Sequence, residues 1–122
     1  MKIKCGTDII EIKRIKESIE TLGDKFIKRV FTKEEIEYCE GKKNQKYQHY
    51  AARFAAKEAA FKAVSYQLND KYTVKWTDFE TINDAEGRPR INIYNEKIKI
   101  RDIDVSISHS KEFAIANVVI LD

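Results

Sequence analysis

A carboxylate and an ammonium sit four residues apart at Glu58 and Lys62. They lie inside the run Arg53-Phe54-Ala55-Ala56-Lys57-Glu58-Ala59-Ala60-Phe61-Lys62-Ala63. That spacing stacks them on one helical face. There they are either an exposed ion pair worth about 0.3–0.5 kcal/mol or a charged pair aimed at a ligand. Arg53 and Lys57, also four apart, make a second, basic ridge. A further carboxylate, Asp8, follows Gly6-Thr7 and precedes Ile9-Ile10. It lies near the end of a strand, a common place for a functional side chain, or it caps a helix that begins there. His109, between Ser108 and Ser110, ends a strand just before a turn. A lone His there is ordinary, but beside two hydroxyls it can bind a phosphate through charge and hydrogen bonds. Cys5 and Cys39 have no second Cys or His at metal-ligand spacing and read as two reduced, buried thiols.

The elements that must position these groups are legible in outline. Residues 47–65 predict a long central helix, because Ala, Lys, Glu and Arg favour helix and neither Gly nor Pro interrupts them. Its five Ala residues between 55 and 63 form a small-residue face that lets another backbone approach closely, while Phe54 and Phe61 mark one edge. The opening residues alternate as a strand, with Ile3, Cys5 and Thr7 set against Lys2, Lys4 and Gly6. An amphipathic helix follows, with Ile12, Ile15 and Ile19 on one side and Lys13, Arg14 and Lys16 on the other, stopped by Gly23. Thr32 and Glu35 make a capping box, with Phe31 and Ile36 placed as its hydrophobic staple, and that helix ends near Gly41. Beyond residue 65 the period becomes two. Residues 73–82 read as a strand, 83–87 as a turn and 88–94 as the return strand. Residues 104–109 and 113–120 form an antiparallel hairpin. Helices first and hairpins afterwards predict an α+β fold, with amino-terminal helices and a long central helix packed on an antiparallel sheet.

The 122 residues fit one domain, 1–122, small for an enzyme, so a complete active site could need more than one copy. No apolar run approaches a membrane span, and the opening residues have no signal-peptide core, which predicts a cytoplasmic protein. The net charge of +3 is unevenly spread. The first 62 residues carry 15 Lys and Arg against 10 Asp and Glu, and the remainder 8 against 10. The basic half should attract acidic partners.

Five segments together resemble one family. The stretch Gly6-Thr7-Asp8-Ile9-Ile10-Glu11-Ile12-Lys13-Arg14 is similar to the amino-terminal signature of phosphopantetheinyl transferases of the holo-acyl-carrier-protein synthase type. Arg53 through Ala59, with Lys62-Ala63, resembles their central signature, and Phe31-Thr32-Lys33-Glu34-Glu35 their second-helix entry. Gly87-Arg88-Pro89 is similar to their hairpin, and Val105-Ser106-Ile107-Ser108-His109-Ser110 to their carboxy-terminal strand and turn. The resemblance implies the 4′-phosphopantetheinyl transferase fold. It also implies a reaction in which the phosphopantetheine arm of coenzyme A moves to a serine of an apo acyl carrier protein, in support of fatty acid biosynthesis, with adenosine 3′,5′-bisphosphate leaving. Mg2+ and a homotrimer with active sites between subunits are implied with it.

The resemblance assigns roles that the chemistry accommodates. Asp8 and Glu58 would hold Mg2+, which takes hard oxygen ligands and is usually bound by one or two carboxylates plus substrate phosphate and water. Lys62, one turn beyond Glu58, would face the same phosphates as a catalytic cation, and Glu58 would orient a water that accepts the serine proton. Arg53, Lys62, His109 and Ser110 would bind coenzyme A, and Arg14 would meet the acidic carrier protein. Unlike the family's Gly-rich turn, residues 64–70 after the central helix contain no Gly. Two rival readings compete: an inactive trimeric scaffold of the same fold, which the intact Asp8, Glu58 and Lys62 oppose, and a basic nucleic-acid-binding module, for which no recognition signature is present. Membrane and nucleic acid are therefore not expected partners.

Overall fold

The computed structural model describes residues 1–70 and 73–122. Its axis is helix α4 (Lys46–Val64), on whose small-residue face the other elements converge. Ala51, Ala55, Ala56, Ala59, Ala60 and Ala63 are all fully buried or nearly so. Short side chains here let a strand lie directly against the helix backbone. That strand is β1 (Ile3–Glu11), which continues through Asp8 to the start of helix α1 (Ile12–Leu22). Asp8 is therefore a mid-strand residue. The cap position of α1 is Glu11, which makes no side-chain capping bond, so the helix-cap alternative for Asp8 does not hold.

The β1 alternation faces the opposite way from a hydrophobic pattern. Gly6, the smallest residue, is buried against α4, while Ile3 is 72% and Ile9 59% exposed. Cys5 shares the outer face and is exposed, which corrects the expectation of two buried thiols. Cys39 is buried as expected, and burial pushes its thiol up to about 12, leaving it inert. The reason for the inverted face is steric. A Cβ on Gly6 would stand 2.1 Å from the Ala59 carbonyl oxygen and 2.8 Å from the Ala63 nitrogen.

Helix α1 ends at Gly23, which takes φ 59°, and α2 (Asp24–Val30) follows at once. Helix α3 (Lys33–Glu40) begins with the expected capping box: Thr32 Oγ1 accepts from the Glu35 N–H, and a Glu35 carboxylate oxygen accepts from the Thr32 N–H. Phe31, Ile15, Ile19, Val30 and Tyr50 close a core between these helices and α4.

The antiparallel hairpin β4 (Asp102–His109) and β5 (Phe113–Leu121) forms as expected, and β1 adds to its far side in the order β1-β5-β4. Asp8 lies opposite Ala116 in this sheet. A separate two-stranded sheet pairs β2 (Phe79–Asn83) with β3 (Pro89–Ile93). The strand expected over 73–82 is thus confined to its last part, and Trp76–Asp78 is a 3-10 turn instead. Asp78 explains the difference, because its Oδ2 accepts from the Lys75 N–H at 2.9 Å and from Asn95 at 3.0 Å, curling the backbone before it can pair. Tyr72 and Lys71, within the Gly-free segment's continuation, lie outside the described residues.

Candidate active site

Strand β1 and helix α4 bring Asp8, Glu58 and Lys62 together. Lys62 Nζ donates to the Thr7 carbonyl at 2.9 Å and to Asp8 Oδ1 at 3.1 Å. Of the two readings of Glu58 and Lys62, the exposed ion pair between them is not the one found: Lys62 pairs across to Asp8 on β1 instead. The Asp8 side chain is 16% exposed and that of Lys62 is 50% exposed, so the pair lies partly open to solvent. Glu58 is half-buried beside them. Burial, and then the negative charge of Asp8, hold its carboxyl above the usual carboxylate value, with Lys62 pulling the other way.

A carboxylate whose proton affinity is raised by burial and by a second carboxylate beside it suits a cation. Among the described residues no group of three or more His, Cys, Asp or Glu could hold a metal. What the site offers is a carboxylate pair, with remaining ligands left to phosphate and water, and that donor set fits Mg2+. Asp8 and Glu58 would hold the ion, and it would neutralise a diphosphate.

The basic ridge expected from Arg53 and Lys57 is not a surface feature, since both are buried, at 4% and 1% exposure. Arg53 lies over the Tyr38 ring, 3.9 Å from its centroid, and donates to Asn83 Oδ1 at 3.1 Å, which leaves its buried Nε without a partner. Lys42 caps the same ring at 4.8 Å, and His49 meets it edge-on at 5.5 Å. Burial first, and then the charges of Lys42, Arg53 and His109, push the His49 imidazole below its ordinary value. The charges of Arg53 and His109 thus both reach His49. Lys42, His49 and Tyr38 are neighbours that sequence reasoning missed. Lys42 lies just past the expected end of α3 near Gly41, and nothing local marks Tyr38 as the platform between two cations.

Ser110 stands at the β4–β5 turn. Its Oγ accepts from the Glu112 and Phe113 N–H groups at 3.3 and 3.1 Å, so it shapes the turn and keeps its own proton to donate. Arg14 is exposed on α1, where Lys13 and Glu17 are 4.0 Å apart. The cationic cluster and the carboxylate pair do not share a face. On α4, Glu58 lies about 140° and Lys62 about 180° around the axis from Arg53, at about 100° per residue.

Lys57 has a different setting from its neighbour Glu58. Its ammonium meets Glu35 Oε1 at 2.7 Å and donates to the Trp76 carbonyl at 3.2 Å and to the Phe79 carbonyl. The other Glu35 oxygen accepts from the Thr81 N–H at 2.8 Å. Thr32 Oγ1 donates to Glu80, whose second oxygen takes the Tyr94 hydroxyl at 2.8 Å. Desolvation would raise the Glu80 carboxyl, but the hydrogen bonds from Thr32, Tyr94 and Asn92 outweigh it and bring the value down.

The comparisons with known proteins agree with one another. The family model described as the 4′-phosphopantetheinyl transferase superfamily matches residues 4–118. The holo-[acyl-carrier-protein] synthase of Solibacter usitatus is 42% identical, with 98% of each chain covered, and that of Clostridium tetani is 45% identical over 98% of this chain and 96% of the relative. Among solved structures, the Bacillus anthracis holo-(acyl-carrier-protein) synthase in complex with CoA (3′,5′-ADP) superposes with a TM-score of 0.77 at 39% identity, covering 96% and 94% of the two chains. The Helicobacter pylori holo-[acyl-carrier-protein] synthase in complex with coenzyme A gives 0.83 at 32% identity, covering 95% and 98%.

Proposed function

This chain belongs to the 4′-phosphopantetheinyl transferase superfamily, and on that premise we propose that it acts as a holo-[acyl-carrier-protein] synthase. The 4′-phosphopantetheine group of coenzyme A is transferred to a serine hydroxyl of an apo acyl carrier protein that serves fatty acid biosynthesis. The serine oxygen forms a bond to the pantetheine-bearing phosphorus. The bond from that phosphorus to the bridging oxygen breaks, and adenosine 3′,5′-bisphosphate leaves with the electron pair.

The convergence of Asp8, Glu58 and Lys62 carries this reading. Bound Mg2+ would neutralise charge on the diphosphate. Lys62 stabilises the charge that builds on the leaving phosphate. Glu58 orients a water that takes the serine proton, a role suited to a carboxylate whose proton affinity is already raised. The cluster of Arg53 and His109, with Lys42 and His49, binds the 3′-phosphate, and the Ser110 hydroxyl donates beside it. Arg14 leads the exposed basic face of α1 toward the acidic carrier.

The two halves of this site face away from each other across α4, so one coenzyme A spans them only if each half comes from a different copy. The outer face of the β1-β5-β4 sheet could supply an interface, since Ile3, Ile9, Ile115 and Val119 are exposed along it, Ile9 directly opposite Ile115. We take the assembly to be a homotrimer, as the family resemblance implies, each chain contributing one domain. Among the described residues no helix is long and apolar enough to cross a membrane. A cytoplasmic enzyme, with coenzyme A and carrier protein as partners rather than membrane or nucleic acid, is the proposal.

The test is intact-protein mass spectrometry of an apo acyl carrier protein after incubation with the enzyme, coenzyme A and Mg2+. The carrier gains one phosphopantetheine mass, and loses that gain with EDTA or with an Asp8→Ala, Glu58→Ala variant. Unmodified carrier under all conditions, despite bound coenzyme A, overturns the reading in favour of an inactive scaffold.

A further inference from the structure

Beside Glu58 a groove of about 770 Å³ opens, walled by Phe61, Val74, Trp76 and Phe79. A largely apolar groove that ends at a few polar groups is the usual form of a small-molecule site. Glu58 lies at this groove and at the carboxylate pair alike, so a chain attached to a phosphate at that pair enters the groove directly. Lys57 lines the same groove with a buried ammonium for which the transfer reaction has no use.

We propose that Lys57 is a positioning residue, holding the Trp76–Asp78 turn as the wall of a groove that takes the pantetheine arm of coenzyme A. The inference rests on the function proposed above. An ammonium has three hydrogens, and here each has an acceptor: Glu35 Oε1, the Trp76 carbonyl and the Phe79 carbonyl. Two of the three belong to the segment that forms the wall. Glu35 is itself fixed at the start of α3 and on the Thr81 N–H, so Lys57 ties the wall to α3, α4 and β2 at once. The turn's own shape comes from Asp78 through Lys75 and Asn95. Loss of Lys57 therefore leaves the turn formed but releases its placement, and Trp76 can slide on Phe54, against which it stacks at 4.9 Å.

The chain contains one tryptophan, so its fluorescence reports this turn alone. The experiment compares wild type with Lys57→Met and with Lys57→Met/Glu35→Gln. The double variant removes the partner charge that the single variant leaves buried and unpaired, and so recovers melting temperature without restoring the donors to the two carbonyls. In both variants Trp76 emission shifts to the red and acrylamide quenching increases. The KM for coenzyme A rises between about tenfold and a hundredfold, while the KM for the carrier and kcat stay within about threefold. In wild type, coenzyme A shields Trp76 from acrylamide. A double variant with wild-type Trp76 emission and wild-type KM for coenzyme A overturns the proposal, as does wild-type Trp76 that coenzyme A leaves unshielded. A wild-type enzyme that transfers no phosphopantetheine instead refutes the function. An active enzyme with an indifferent Trp76 refutes only the positioning role.

Discussion

Gly6 offers the sharpest test of how the site is held together. The substitution is Gly6→Ala, one methyl group on β1. That methyl would stand 2.1 Å from the Ala59 carbonyl oxygen, 2.8 Å from the Ala63 nitrogen and 2.9 Å from Lys62 Cβ. Ordinary contact begins near 3.4 Å, so the strand and helix must separate by about 1.3 Å. Two of the three obstacles are backbone atoms of a helix and cannot rotate away. Nor can β1 retreat freely, because Gly6 is paired with Val118 and Asp8 with Ala116, both fully buried against the core. Overpacking of this kind costs about 1–3 kcal/mol, which for a chain of this size lowers Tm by about 4–12 °C. Asp8 is two residues along the same face, and it moves with the strand while Glu58 and Lys62 stay with the helix. A displacement near 1 Å in a reacting constellation costs about a hundredfold in rate.

The assay measures initial rates of carrier modification by intact mass, with Tm by calorimetry and Mg2+ affinity by titration on the same samples. Gly41→Ala is the control, since a Cβ there would meet its nearest atoms at an ordinary 3.4 Å. We expect Gly6→Ala to lose transfer and Mg2+ affinity well below the temperature at which it unfolds, with Gly41→Ala close to wild type. Wild-type Tm and rate in Gly6→Ala would refute the argument that β1 and α4 fix the carboxylate separation through backbone contact.

Further outcomes follow from the electrostatics and the assembly. Glu58 binds its proton more tightly in the folded state than its ordinary 4.5, so its protonated form stabilises the fold at low pH and that contribution fades as pH rises through the raised value. Mg2+ should therefore raise Tm only above that raised value, and a Tm series with and without Mg2+ from about pH 4 to pH 8 checks it. His49 has the opposite sense: its folded value lies below 6.5, so stability is complete above pH 6.5 and is lost as pH falls toward the lowered value. A bound 3′-phosphate reverses this by favouring the imidazolium, so calorimetry near pH 6 in buffers of different ionisation enthalpy should record proton uptake with coenzyme A and none with its 3′-dephospho form. Ile9→Lys places charge in the exposed apolar sheet face, and light scattering should find a monomer that retains its fold but not its activity. Mixing Glu58→Gln with His109→Glu, each inactive alone, should restore part of the activity, because some sites then draw an intact half from each chain; no recovery after subunit exchange would place both halves in one copy.

What the sequence disclosed and what it concealed divide along contact range. The Thr32–Glu35 box and the Gly23 stop were readable because their partners lie within four residues. The face of β1 was not, because period two gives alternation without direction. The direction was settled by Ala59 and Ala63, more than fifty residues away, whose backbone admits only Gly. Asp8 was ambiguous between cap and ligand for the same reason: its strand is prolonged by pairing with β5 at the other end of the chain. Arg53 and Lys57 read as one basic ridge, and their burial stayed hidden because their partners, Tyr38, Asn83 and Glu35, carry no local signal that they fold onto α4. The resemblance recovered Asp8, Glu58 and Lys62 as a set, but not the reason Gly6 precedes them.

Helix α4 does three kinds of work on three faces, and the alanines are what make that compatible. A helix with larger residues at 55, 56, 59, 60 and 63 would hold β1 further out, where the Lys62 stem would no longer bridge to Asp8. With small residues the strand comes within backbone contact and the carboxylate pair closes. The face carrying Arg53 then lies against Tyr38, with Lys42 and His49 on the same ring, and this group, proposed to meet a phosphate, stands away from Lys62. Between these two faces, Lys57 and Glu58 are chain neighbours about 100° apart, one sealed in the interior and one half-open to solvent. In the roles proposed above, the first fixes the wall of the groove and the second meets the ligand that enters it. A helix so divided points Arg53 and Lys62 in opposite directions, about 180° apart, which is why the proposed site draws on two copies. If the site is completed as proposed, the packing that closes the carboxylate pair is also the packing that turns the Arg53 face toward the ligand of another copy.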